Sequence, residues 1–159
     1  MAQGNGARIR VGVADMAVTA DGQTLVTSGL GSCVAIGVHD REGRGGLLHA
    51  MLPQAPADAE DPPKYVDAGI EDLVDELAAI GADTATLVGK VAGGSSMLNL
   101  GKGDPIGEKN VTATERALDR AGIDLVGADT GGDAGRSVSF RPADGVMKID
   151  SVDATPTEL

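Results

Sequence analysis

Aromatic residues are nearly absent from this chain. Its 159 residues hold no tryptophan, and Tyr65 and Phe140 are its one tyrosine and one phenylalanine. The core must therefore be built from Val, Leu, Ile, Ala and Met, which favours thin, closely packed layers over a bulky centre. Cys33 is the single cysteine, which excludes an internal disulfide. No run of about eighteen apolar residues exists, so no membrane-spanning helix is expected. The opening MAQGNGARIR lacks the apolar stretch of a secretory signal. Basic residues are also scarce, 13 Lys and Arg against 24 Asp and Glu, for a formal charge of −11. That sign opposes binding to nucleic-acid phosphates or to an anionic membrane surface. These absences point to a cytoplasmic protein. The acids are scattered, which fits either a salty cytoplasm or a merely acidic soluble protein.

What is present reads as one mixed α/β domain over residues 1–159, with a core of about 8–150 and flexible termini at 1–6 and 151–159. Arg8 to Thr19 and Thr24 to Ser28 read as strands. Val34 to His39 and Gly46 to Leu52 form a hairpin across a polar turn ending in glycines. Asp61-Pro62-Pro63 has the form of a helix start, with Asp as cap. Val66, Ile70, Leu73, Val74 and Leu77 make that helix's inner stripe, and Gly81 ends it. Thr84 to Val91 reads as a strand. Asp104-Pro105 opens a second helix with Val111, Thr114, Ala117, Leu118 and Ala121 inward, stopped by Gly122. Ile123 to Ala128 is a further strand. A last hairpin pairs Ser137–Arg141 with Val146–Ile149 across Pro142-Ala143-Asp144-Gly145.

Cys33 ends a glycine-rich turn, Gly29-Leu30-Gly31-Ser32, where a strand begins, and His49 lies on the return strand of the hairpin. A turn centred at Arg41 sets the two directly opposite. A centre at Glu42 slides the pairing by two residues but keeps both on one face, because sheet side chains alternate, whereas a centre between two residues breaks the contact. Opposed Cβ atoms lie about 4.5–5.5 Å apart, so contact between thiol and imidazole is geometrically easy. Val34, Ile36 and Val38 take one face of the strand; Cys33, Ala35 and Gly37 take the other, leaving room beside the thiol. An imidazole partner draws a thiol toward thiolate. A lone cysteine is equally a small buried hydrophobe and a lone histidine a satisfied core residue. The residues alone leave both readings open.

The strings LGSCVAIGVHD and GGLLHAMLP, followed by KYVDAGIEDL, GKVAGGSSML, IGEKNV and DTGGDAGRSVSF, resemble in order the signature of the chemoreceptor glutamine deamidase family, CheD. The likeness runs from about Val11 to Ile149. It implies a three-layer α/β sandwich (α+β-like) of mixed, largely antiparallel sheets with two main helices, similar to the catalytic domain of the cytotoxic necrotizing factor toxins. By the same resemblance Cys33 is the nucleophile, His49 its base and Thr27 the third catalytic residue. Ser95-Ser96 departs from the more familiar Gly-Ala.

The activity so implied is deamidation of glutamines on the helical cytoplasmic domain of chemoreceptors through a cysteinyl thioester, with receptor methylesterase as a side activity. No cofactor or metal is called for. The resemblance also implies binding to a CheC-type phosphatase, and a non-catalytic module docking that partner is the rival reading. Gly31 and Ser32 are expected near the oxyanion, with Cys33's own N–H. Gly93, Gly94 and Ser95, in the loop running to Met97, are expected beside the active site. Gly131-Gly132 precedes a strand rather than a helix, which argues against nucleotide binding. Arg136 reads as either structural or partner-facing. His39 reads as a solvated turn residue, and no zinc set is spaced for His39, His49 and Cys33.

Overall fold

In the computed structural model, which describes residues 7–96, 105–152 and 154–159, the central hairpin forms where its pattern places it. Strand β4 (Val34–His39) pairs antiparallel with β5 (Gly45–Ala50). Both are buried on both faces, because they occupy the middle of a five-stranded sheet. That sheet runs β2 (Asp15–Thr19), β5, β4, β6 (Val88–Gly93), β7 (Asp124–Thr130). The β6–β7 pair is parallel, as a strand–helix–strand connection requires. A second five-stranded sheet runs β1 (Arg8–Arg10), β3 (Thr24–Leu30), β8 (Arg136–Arg141), β9 (Val146–Ser151), β10 (Thr157–Glu158).

Two helices, α1 (Val66–Ala79) and α2 (Ile106–Arg120), pack on one face of the first sheet. The second sheet packs on the other, giving three layers. The helix side is mostly aliphatic: Val34, Ile36, Val38 and Leu48 meet Ile70, Leu73 and Leu118, and α2 also buries Asn110 and Thr114. Close approach there depends on missing side chains. A Cβ at Gly46 would lie 2.7 Å from Leu73 Cδ1, and one at Gly69 would lie 2.8 Å from Leu48 Cδ2. Between the sheets, Ala35, Leu47 and Ala92 meet Leu25, Phe140 and Met147. The space above Gly37 holds Met147 and Phe140, whose atoms would sit 2.9 and 3.0 Å from a Cβ, so it is filled rather than left open beside the thiol.

Several local expectations change. Arg8–Thr19 is two strands, not one. Val11 to Ala14 carries the chain from the second sheet to the first, and Ala14 turns at φ 60°. Asp61 does not cap α1. Pro62–Lys64 forms a separate 3₁₀ turn, and Tyr65, held extended by bridging Leu52, is the residue from which α1 starts. Thr84–Thr86 is likewise a 3₁₀ turn capped by Asp83, so β6 begins only at Val88. Ala121 is exposed at the end of α2, and Val74 and Val111 are half-buried. A short strand not expected from the sequence, β10, pairs with β9, and Leu159 exchanges both backbone hydrogen bonds with Met147. Residues 1–6, Met97 and Asp104 lie outside the described residues. Among the described residues no helix is long and apolar enough to cross a membrane.

Candidate active site

The chain leaves the second sheet at Leu30 and enters the first at Val34, so Cys33 sits where the two sheets open from one another. Gly29, at φ 74°, makes the turn possible, and the Gly31 N–H closes it on the Gly29 carbonyl at 3.2 Å. The β4–β5 register pairs Ala35 with His49 and Val34 with Ala50. Of the registers open to the hairpin, this is the one centred at Glu42. Cys33 is therefore diagonal to His49 rather than opposite it, on the same face. Cys33 is half-buried against the inter-sheet core. His49 is fully buried.

Thr27 reaches this pair from the facing sheet. Its hydroxyl lies 2.7 Å from His49 Nδ1 and donates to the Val11 carbonyl at 2.7 Å. A hydroxyl has one hydrogen. Because the carbonyl can only accept, that hydrogen goes to Val11, and Nδ1 must carry the proton that bonds Thr27. The other ring nitrogen, Nε2, then presents a lone pair, and it is buried without a hydrogen-bond partner. Donor counting alone assigns this tautomer. The Ala14 N–H bonds the His49 carbonyl at 2.9 Å, so the segment crossing between sheets fixes the ring and its backbone together.

Burial sets the charge state. Desolvation holds the His49 imidazole below its ordinary pKa and pushes the Cys33 thiol above its own, the latter against a smaller opposing pull from the Cys33 N–H. The resting pair is thus a neutral thiol and a neutral imidazole carrying a free lone pair. Such a pair is suited to proton abstraction during attack rather than to a standing thiolate.

The glycine-rich segment before α2 is stitched to the Cys33 turn. The Gly94 N–H donates to the Cys33 carbonyl and the Ser95 N–H to the Gly31 carbonyl, each at 2.9 Å. Gly93, at φ 110°, passes so close that a Cβ there would collide with the Cys33 carbonyl. Gly93, Gly94 and Ser95 thus lie beside the Cys33 turn, and the Gly94 and Ser95 N–H groups are committed to holding it, as is that of Gly31. Among the described residues the N–H groups of Ser32 and Cys33 donate to no backbone oxygen.

Arg136 is structural. It bonds the Gly131 carbonyl at 2.9 Å and the Gly93 carbonyl at 3.4 Å, beside Asp129. His39, at the far end of β4, is not a solvated turn residue: it is half-buried near Phe140 and donates from Nδ1 to the Asp40 carbonyl.

One residue of the site was missed from the sequence. Asn110, on α2, is fully buried, and its Nδ2 donates to the Ser32 carbonyl at 2.9 Å and the Met51 carbonyl at 3.0 Å. Its signal was a polar residue one position before the apolar Val111 of the inner stripe, four before Thr114. Its Oδ1 and the Ser95 hydroxyl are buried without partners, like His49 Nε2.

A family model described as CheD chemotactic sensory transduction matches residues 51–151. The probable chemoreceptor glutamine deamidase CheD of Natronomonas pharaonis is 41% identical over 156 residues, covering 96% of this chain and 93% of that one. That of Haloarcula marismortui is 40% identical over 155 residues, covering 96% and 90%. The chemoreceptor glutamine deamidase CheD of Thermotoga maritima is 38% identical over 143 residues, covering 89% and 90%. Among solved structures, the C-terminal domain of CNFy from Yersinia pseudotuberculosis aligns with a TM-score of 0.40 at 9% identity, over 96% of this chain and 62% of that one.

Proposed function

We propose, from the premise that this chain belongs to the CheD chemotactic sensory transduction family, that it hydrolyses the side-chain carboxamide of chemoreceptor glutamines, with Cys33 as nucleophile and His49 as base. The observation that carries this reading is the unpartnered Nε2 of His49, held as a lone pair by Thr27 on the face it shares with Cys33.

The steps follow from the residues. His49 Nε2 takes the Sγ proton as sulfur attacks the carboxamide carbon. The oxygen of that carbonyl becomes an oxyanion, and the N–H groups of Ser32 and Cys33 are its donors. The tetrahedral species collapses as the imidazolium returns the proton to nitrogen, and ammonia departs. A γ-glutamyl thioester remains on Cys33. Water, deprotonated by the same nitrogen, attacks it and releases glutamate and the free thiol. Through both halves Nδ1 keeps its own proton on Thr27, which steadies the ring as it gains and loses charge.

The test is mass spectrometry of a receptor cytoplasmic domain incubated with the wild-type chain and with Cys33→Ala. Conversion of glutamine to glutamate with release of ammonia is expected for the first and not for the second. A variant that converts glutamines at the wild-type rate removes Cys33 from the mechanism. The same variant, tested for binding to a CheC-type phosphatase, separates catalysis from docking: a module that only docks loses nothing with the thiol.

A further inference from the structure

The β4–β5 ladder ends at the Val34–Ala50 pair. Beyond it the two strands part. Met51 and Leu52 turn away to accept partnership from the 3₁₀ turn, both of their N–H groups donating to the Lys64 carbonyl at 2.9 and 3.1 Å. On the other side the chain becomes the Ser32–Cys33 turn. At this fork the carbonyls of Ser32 and Met51 have lost their ladder partners, and both are satisfied by one side chain, the carboxamide of Asn110.

The two bonds use both Nδ2 hydrogens, which also fixes which end of the amide is nitrogen. Ser32 immediately precedes Cys33, and Met51 lies two residues after His49. One rigid planar group thus spans the turn bearing the thiol and the strand bearing the imidazole. It is itself anchored. Thr114, one helical turn on, donates to the Asn110 carbonyl at 2.8 Å, and Gly107 packs directly on the backbone of Gly94 and Ser95.

We propose that Asn110 is a positioning residue that sets the separation of Cys33 and His49 by clamping the fork in the hairpin. The inference rests on the Cys33–His49 reading given above. It adds that the relative placement of the pair is set by α2 as well as by the hairpin, whose register leaves the two groups diagonal. A misplacement of about 1 Å in a reacting pair costs on the order of 10²-fold in rate.

Because Cys33 is the only thiol, its alkylation by iodoacetamide reports the pair without any substrate. The experiment compares wild type, Asn110→Asp, Asn110→Ser and His49→Ala at pH 7 and at pH 10, alongside kcat and KM for receptor glutamine conversion. At pH 7 the base assists the thiol; at pH 10 hydroxide can take its proton without the base. The expected result is that Asn110→Asp, which matches the shape but loses the paired donors, falls at pH 7 to the His49→Ala rate. At pH 10 it stays within about two-fold of wild type, and kcat drops roughly 10²-fold with KM little changed. Asn110→Ser carries the same comparison if the aspartate variant does not fold.

A folded variant that lowers only the melting temperature, with pH 7 alkylation and kcat at wild-type values, overturns the proposal and leaves Asn110 as a structural clamp. The two readings fail separately. A wild-type protein that converts no receptor glutamine yet shows the Asn110-dependent and His49-dependent alkylation refutes the substrate assignment alone.

Discussion

The two faces of the central sheet are built from the same strands and do different work. On the helix side, Val34, Ile36, Val38, Leu48 and Ala50 meet α1 and α2 in a layer that is aliphatic apart from Asn110 and Thr114. On the other side, Ala35, Leu47 and Ala92 meet the second sheet, and that layer runs out into Thr27, His49 and Cys33. Leu48 and His49 are neighbours in sequence, both fully buried, and belong to different layers only because the side-chain period of a strand is two. One hairpin can therefore be anchored on one face while the other carries reactive groups. The unpaired polar atoms of His49, Ser95 and Asn110 all lie in or against segments that frame Cys33.

The sharpest way to break that division is a pair of substitutions at adjacent positions. His49→Ala is expected to lower kcat/KM by about 10²–10⁴-fold, the usual worth of a positioned base, while the protein stays folded. Leu48→Ala is expected to cost about 2–5 kcal/mol of stability and to leave kcat of the folded protein near wild type. Urea melts beside steady-state kinetics on both variants decide it. Loss of kcat in folded Leu48→Ala would mean that the faces are not independent.

A smaller effect is expected at the hydroxyl joining the layers. Thr27→Val keeps the shape but strands a buried Nδ1–H and the Val11 carbonyl, for about 1–3 kcal/mol. It also frees the ring tautomer. Thr27→Ser restores the hydroxyl, so kcat should recover with serine and not with valine; equal rates for the two would remove Thr27 from any role in the imidazole's state.

The smallest effect is a pH dependence, and its two arms have opposite signs. His49's folded pKa lies below its ordinary 6.5, so between those values the unfolded chain binds the extra proton. Stability should therefore fall as pH drops below about 6.5 and level off once the lowered pKa is passed. Cys33's pKa is raised above its ordinary 9.0, so stability should fall as pH climbs past that value. Chemical denaturation across pH, repeated on His49→Gln, isolates the acid arm. An unchanged acid slope in that variant would assign it to other groups. The acid limb of kcat/KM should likewise lie below 6.5.

Much of this was legible locally. The central hairpin, the β8–β9 hairpin and most of the inner stripes of both helices follow from alternation, turn residues and helical spacing, and a turn centred on a single residue puts Cys33 and His49 on one face. What was not legible depends on distant partners. Nothing between Arg8 and Thr19 announces that the chain changes sheets at Ala14, because both halves alternate as strands do. Asp61 has the form of a cap, but Tyr65 is drawn into a bridge with Leu52 and restarts the helix four residues later. Strand β10 was not legible because two residues carry almost no pattern; only its partner, β9, defines it. Asn110 escaped because its acceptors lie 78 and 59 residues away.

The hydroxyl of Thr27 has a consequence for spectroscopy. Both histidines, His39 and His49, carry their ring hydrogen on Nδ1, each bonded to an oxygen. In His49 that hydrogen lies between two fully or nearly fully buried side chains, whereas His39 is partly open to solvent. Two imidazole N–H resonances therefore belong to this protein, and the one that exchanges slowly with water marks the ring whose bare nitrogen faces the thiol's side of the sheet.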